Sequence, residues 1–318
     1  MTCRPEELKS ASLKIMRTKK YLLLPFIAVL LFFSGCGALE GMESRAMLAR
    51  EAAVHPRDPK TGLLPNAGPI FIRGKGPRAA LLIHGFGATP FDLKPLAVAL
   101  SKENITVYAP LLPGHGTTIQ DFARSTEKEW ISASKQGLKR LARYPKVYII
   151  GFSMGGAIAL DIASEQSVKN KISGVVLLAP CVFIKGRHRL VTPECAIMHF
   201  SRFLFTDYII NKEPSFSFDK KALAGRPAYD LFPLKDLREL VMLEEAARRK
   251  LPAVSEPLLV VQSRNDPTVS ASGPNYILSH ISSKDKGVFW VTHSGHMLVL
   301  DAEKARIIKK VEEFIQSH

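Results

Sequence analysis

Three residues far apart in the chain have types and positions that could do nucleophilic chemistry together. Ser153 sits in IIGFSMGGAIAL (Ile149–Leu160), between glycines 151 and 155, where an apolar run gives way to small residues. A serine hydroxyl is a weak nucleophile until a base takes its proton, and that base needs a third group to hold its tautomer. Asp266 lies in VVQSRNDPTVS, just past an apolar run and before a proline, and His296 lies in FWVTHSGHMLVLD, after another such run. Asp266 also has the plain reading of a turn former ahead of Pro. His293 is a rival base, but it directly follows its strand and takes its direction from the sheet. His296, beyond Ser-Gly, is free to turn inward, which favours it. His115 in LPGHG reads as a loop-structuring residue, and the other histidines as surface or cap positions.

The elements around these residues must position them. Lys146–Ile150 (KVYII) suits a strand buried on both faces, and Met154–Glu165 has the Ala and Leu content of a helix. The chain therefore turns from strand to helix at Ser153 almost without a loop. Such a corner strains the backbone, and glycines two residues either side let neighbouring chain approach closely. The motif G-x-S-x-G alone arises by chance in roughly one chain in ten of this length; the strand-to-helix context carries the inference. An oxyanion formed on attack needs amide donors. Met154 N–H, opening the helix, supplies one. The loop HGFGATP after the strand Ala79–Ile83 supplies the other through Phe86 N–H, with Gly85 and Gly87 letting it curl back.

Further along, PIFIRGKGPRAALLIHGFG reads as two strands about a Gly-Lys-Gly turn. Thr89–Lys102 reads as a helix capped by Thr89 with Pro90 in its first turn, and Ser125–Tyr144 as a long amphipathic helix with capping residues in STEKEW. Strands follow at ITVYAPLL, Gly174–Ala179, Leu258–Val261 and Gly287–Thr292, and Ala302–Gln316 closes the chain as a helix. Apolar strands alternating with helices predict an α/β fold with a mostly parallel sheet covered on both sides. About 76 residues separate the strand ending near Cys181 from Leu258, too many for a crossover. This insert, about residues 182–257, is expected to be a largely helical cap between two late strands. Its aromatics Phe183, Phe200, Phe203, Phe205 and Tyr208 either line an acyl pocket or form the cap's own core.

These motifs together resemble the α/β-hydrolases, and within them bacterial carboxylesterases and monoacylglycerol lipases, over Gly68–His318. The matching runs are LLIHGFGATP, LPGHGT, GFSMGG, LLVVQSRNDPTV and FWVTHSGHMLVLD, in the family's order and with similar spacing. The resemblance implies Ser153 as nucleophile, Asp266 as orienting acid, His296 as base, and Phe86 and Met154 as oxyanion donors. It also implies hydrolysis of acyl esters through an acyl-enzyme, with no metal or organic cofactor. Monoacylglycerol, lysophospholipid or other medium- to long-chain esters are the expected substrates. A thioesterase or acyltransferase with the same triad, or a non-catalytic binding lipoprotein on this scaffold, stays open.

Composition bounds the rest. With 318 residues, 46% hydrophobic and 8% aromatic, the chain can bury one large core. A net charge of +15 invites a nucleic-acid reading, but the basic residues are scattered and no long Lys/Arg block follows residue 20. Three basic residues after Met16 precede the 13-residue apolar run Tyr21–Phe33, too short to span a bilayer comfortably. The following FSGC resembles a bacterial lipobox, with Phe33 where Leu is usual, and implies lipidation of Cys36. The expected organisation is a signal peptide over 1–35, a lipidated tether over 36–67 and a hydrolase domain over 68–318. That makes a membrane-anchored lipoprotein of the bacterial envelope. The acidic charge within Met1–Leu13 is foreign to a signal n-region and points to Met16 as the natural start. Cys181 and Cys195, 14 residues apart, are compatible with a disulfide or with two unpaired thiols.

Overall fold

The computed structural model describes residues 44–185, 208–210 and 217–318. The chain divides into two units, Met1–Ala49 with Pro193–Asp207, and Arg50–Thr192 with Tyr208–His318. Of the first, the described residues are 44–49, which are helical. All the elements named below belong to the second.

In chain order these are β1 (Ile70–Ile72), β2 (Arg78–Ile83), α1 (Lys94–Lys102), β3 (Thr106–Ala109), the single turn α2 (Ile119–Phe122), α3 (Glu127–Arg140), β4 (Lys146–Phe152), α4 (Met154–Ala163) and β5 (Gly174–Leu178). After them come β6 (Tyr208–Ile210), β7 (Leu231–Pro233) and the long α5 (Leu234–Lys250). The chain finishes with β8 (Leu258–Ser263), α6 (Gly273–His280), β9 (Lys286–Val291) and α7 (Lys304–Ser317). Seven strands form one sheet in the order β1-β3-β2-β4-β5-β8-β9. All neighbours run parallel except β1, which lies antiparallel to β3. β5 and β8 are buried from end to end, and β4 is buried after Lys146. Their unbroken apolar runs reflect helices on both faces: α3, α4 and α5 pack on one another, and α1 packs against α7. The insert after β5 contributes the β6–β7 ribbon and α5.

Local signals explain several elements. Thr126 caps α3: its hydroxyl accepts Glu129 N–H at 3.3 Å and donates to the Glu129 carboxylate at 2.9 Å, a reciprocal pair that satisfies an orphan amide. Ahead of α1 the structure differs from the sequence reading. Pro90–Leu93 forms a 3-10 turn and Thr89 makes no capping bond, because Pro95 has no N–H to continue an α ladder back to Phe91. The Gly-Lys-Gly segment likewise does not join two paired strands. β2 already has parallel partners on both edges, so β1 crosses to the free edge of β3, with Gly76 N–H donating to Asn104 O at 2.9 Å on the way.

The folded body also starts earlier than Gly68. Leu64 and Ala67 are buried, Leu64 N–H donates to Gly116 O at 2.7 Å, and the Arg57 guanidinium donates to Thr117 O. Asp230 N–H donates to Glu51 Oε2 at 3.3 Å. Residues 50–67, expected to belong to the tether, are thus held by side-chain and main-chain bonds that no local pattern announces. The expected signal peptide and Cys36 lie outside the described residues, as do Cys195, Phe200, Phe203 and Phe205. Among the described residues no helix is long and apolar enough to cross a membrane. Cys181 carries a free, buried thiol.

Candidate active site

The parallel strands β2, β4, β8 and β9 end at the same edge of the sheet, where crevices form in such folds. At the end of β4, Ser153 has φ 53° and ψ −114°, a left-handed backbone that costs a non-glycine residue about 1–3 kcal/mol. Its peptide is pinned on both sides, Ser153 N–H donating to Leu178 O at 2.9 Å and Cys181 N–H to Ser153 O at 3.0 Å. The flanking glycines are needed for close approach. A Cβ at Gly151 would run into Gly155 O, and one at Gly155 into the carbonyl oxygens of Ile83 and His84. The start of α4 is thereby nested onto the end of β2.

His296 lies in the loop after β9 with Nε2 3.0 Å from Ser153 Oγ and Nδ1 2.8 Å from Asp266 Oδ2. Asp266 is buried and its two oxygens have separate partners. Oδ1 accepts the N–H groups of Thr268 at 2.8 Å and Val269 at 3.0 Å; Oδ2 accepts His296 Nδ1–H and the Gln262 side-chain amide at 3.2 Å. The turn-forming role and the histidine contact are therefore both realised, on different atoms. Burial pushes the Asp266 carboxyl up, but the imidazole of His296 and the two backbone amides outweigh it and hold it below the usual range. With the Asp266 carboxylate accepting from Nδ1, the Nε2 lone pair faces the serine hydroxyl. Phe152 supports the imidazole, ring centroids 5.1 Å apart. His293 instead is exposed, its N–H donating to Glu303 at 2.6 Å.

The loop after β2 lies beside the serine, and a Cβ at Gly85 would stand 3.2 Å from Ser153 Cβ. Gly87 has φ 61°, which turns the loop back. Phe86 N–H finds no acceptor among the described residues, and Met154 N–H opens a helix and so has no partner within it. His84 holds this loop, contrary to the expectation of a surface or cap position. It is fully buried: Leu112 N–H donates to its Nε2 at 3.0 Å, so Nδ1 carries the proton and donates to Gly85 O at 2.9 Å. Burial, then the neighbouring His115, keeps its pKa well below the ordinary value. His115 is buried too, lowered by burial to about 4, its Nδ1 3.0 Å from Pro113 O. Around Phe86 stand the rings of Phe122, Phe232 and Trp130 at 5.0, 5.3 and 6.2 Å. Phe183 of the insert packs on Tyr276 of α6 at 4.9 Å.

The side chains at this site are a hydroxyl, an imidazole and a single carboxylate. Elsewhere Glu51, His55 and Asp230 offer ligand atoms close enough to share a metal ion, but they already pair with one another and with Arg57.

Residues 80–308 match the Alpha/beta hydrolase family. The chain is 30% identical over 257 residues to a thermostable monoacylglycerol lipase of Bacillus sp. (strain H-257), covering 80% of this chain and 97% of that protein. It is 25% identical over 259 residues to a carboxylesterase of Bacillus subtilis (strain 168), covering 78% of this chain and 96% of that one. Among solved structures it is similar to a metagenome-derived lipolytic enzyme described with LipS and LipT, at 25% identity and a TM-score of 0.71, with 80% of this chain and all of that one covered. The chain belongs to the alpha/beta hydrolase family, as an enzyme of the serine hydrolase type.

Proposed function

We propose that the chain hydrolyses carboxylic esters through an acyl-enzyme on Ser153, with His296 as base, Asp266 as its orienting acid and the N–H groups of Phe86 and Met154 as oxyanion donors. The observation that carries this reading is the relay of Ser153 Oγ to His296 Nε2 at 3.0 Å and His296 Nδ1 to Asp266 Oδ2 at 2.8 Å, built on a strained serine backbone. Ser153 Oγ attacks the ester carbonyl as His296 Nε2 takes its proton. The resulting oxyanion draws on the two amides, and His296 returns the proton to the leaving alcohol. Water, activated by the same imidazole, then clears the acyl group. The substrate is an ester of a medium- or long-chain acid, such as a monoacylglycerol or lysophospholipid. The rings of Phe86, Phe122, Phe232 and Trp130 beside the oxyanion loop support this, as does the similar monoacylglycerol lipase. Lipidation at Cys36, supported by the apolar run and FSGC before it, would place the enzyme at a bacterial envelope membrane.

Fluorophosphonate labelling and p-nitrophenyl ester turnover test the mechanism: both are expected to vanish in Ser153→Ala, and turnover that survives would refute it. Rates on a C12 ester should exceed those on a C4 ester, and a strong C4 preference would sink the lipid reading. Palmitate labelling that persists in Cys36→Ala would remove the anchor.

A further inference from the structure

We infer that Asp301 is a positioning residue, one carboxylate that holds the His296 loop and ties it to the backbone at Asp219 in the cap insert; this rests on His296 being the base. Asp301 is fully buried. Its Oδ2 accepts Gly295 N–H at 2.7 Å, one residue from His296, and its Oδ1 accepts Asp219 N–H at 3.0 Å and Ala302 N–H at 2.8 Å. Amide bonds to an ionised acceptor are roughly twice as strong as neutral ones, so these are firm restraints.

The rest of the loop is held from the same turn and from the end of β8. Glu303 Oε2 accepts Thr292 N–H at 2.9 Å and His293 N–H at 2.6 Å, and Ser263 donates its hydroxyl to Ser294 O. Beside the bond from Leu298 N–H to His296 O at 2.9 Å, Asp301 supplies the restraint on Gly295, the residue just before the imidazole. It is also the one shared with the cap, where Lys304 Nζ stands 3.7 Å from the Asp219 carboxylate. Shifting the backbone at 217–219 would pull on the carboxylate that sets Gly295. A reacting group displaced by about 1 Å can lose some 10²-fold in rate. Seating of this part of the cap and alignment of the base are coupled through one side chain.

Asp301→Asn keeps the shape but leaves a single oxygen, so either Gly295 or Asp219 faces an amide NH2. With a C4 p-nitrophenyl ester, kcat should fall at least about tenfold with KM within about twofold, and fluorophosphonate labelling should slow in parallel. Lys304→Ala, which touches only the Asp219 ion pair, should keep kcat. A folded Asp301→Asn with wild-type kcat, or with a loss confined to KM, overturns the inference. If that variant does not fold, Asp301→Glu, whose longer arm moves the carboxylate off Gly295 N–H, must show the same loss; wild-type kcat there overturns it equally. Ser153→Ala in the same assay separates the cases: its full activity refutes the underlying mechanism, whereas its inactivity beside an unimpaired Asp301→Asn refutes the coupling alone.

Discussion

Asp266→Asn should abolish catalysis while sparing the fold, because the two oxygens of Asp266 do different work. An asparagine can keep its oxygen on the Thr268 and Val269 amides, which places its NH2 toward His296 Nδ1 and Gln262. In the reverse orientation that NH2 would confront both main-chain N–H groups, and the buried one, of Val269, would be left unsatisfied at about 1–3 kcal/mol. The first orientation also finds a new partner. Gln262 Oε1 is buried without a partner among the described residues, so a flip of that amide supplies an acceptor. The turn therefore survives, but His296 must accept at Nδ1 and carry its proton on Nε2, aimed at Ser153 Oγ. An imidazole in that tautomer cannot take the serine proton. The expected fall in kcat is about 10³–10⁴, or ~4–5.5 kcal/mol of activation free energy, with melting temperature within a few degrees of wild type. Ester hydrolysis with circular dichroism melting measures both. A folded Asp266→Asn with kcat within about tenfold of wild type would refute the tautomer argument, and so would collapse of the fold. The Asp266 carboxyl is held below its ordinary 3.8, so its contribution to stability is present above that value and disappears as pH falls through the folded one. Wild type should lose stability relative to Asp266→Asn in that acid range.

Gly155→Ala would drive a Cβ into the carbonyl of Ile83, so α4 must move off the end of β2. We expect a loss of more than about 3 kcal/mol by denaturant titration, or failure to accumulate as soluble protein; a variant as stable as wild type would contradict the nesting. Asp236, on the first turn of α5, is buried with neither oxygen partnered among the described residues, and burial raises its pKa to about 7. Its folded value lies above the ordinary 3.8, so it takes up a proton on folding and stability declines as pH rises from about 4 to about 7. Asp236→Asn should flatten that decline and gain about 1–2 kcal/mol at pH 8, read from melting curves across pH. A wild-type slope in the variant would show that the carboxyl is satisfied.

Much of the architecture could be read from the chain because it rests on short-range rules. Apolar runs too continuous to have a wet face marked the parallel strands, and the Thr126–Glu129 spacing marked the start of α3. A serine between two glycines at the end of one such run marked a corner no ordinary loop would need. The order of Asp266 and His296 after later strands was visible for the same reason. Other features involve residues distant in sequence whose pairing leaves no local trace. Nothing in PIFIRGKGPRAALLI says that β1 prefers the free edge of β3 to β2, and nothing around Arg57 or Leu64 says that they bond to Thr117 and Gly116, more than fifty residues later. His84 was misread because a histidine's burial depends on whether distant atoms, here Leu112 N–H, satisfy its ring. The Gly295–Asp301–Asp219 bridge was invisible since two of its three members act through backbone amides, which every sequence possesses. Sequence determined which side chains the strand ends would carry, because strand and helix periods are local. Tertiary structure decided which atoms meet, because a hydrogen bond forms or fails over less than an ångström and no spacing rule reaches that far.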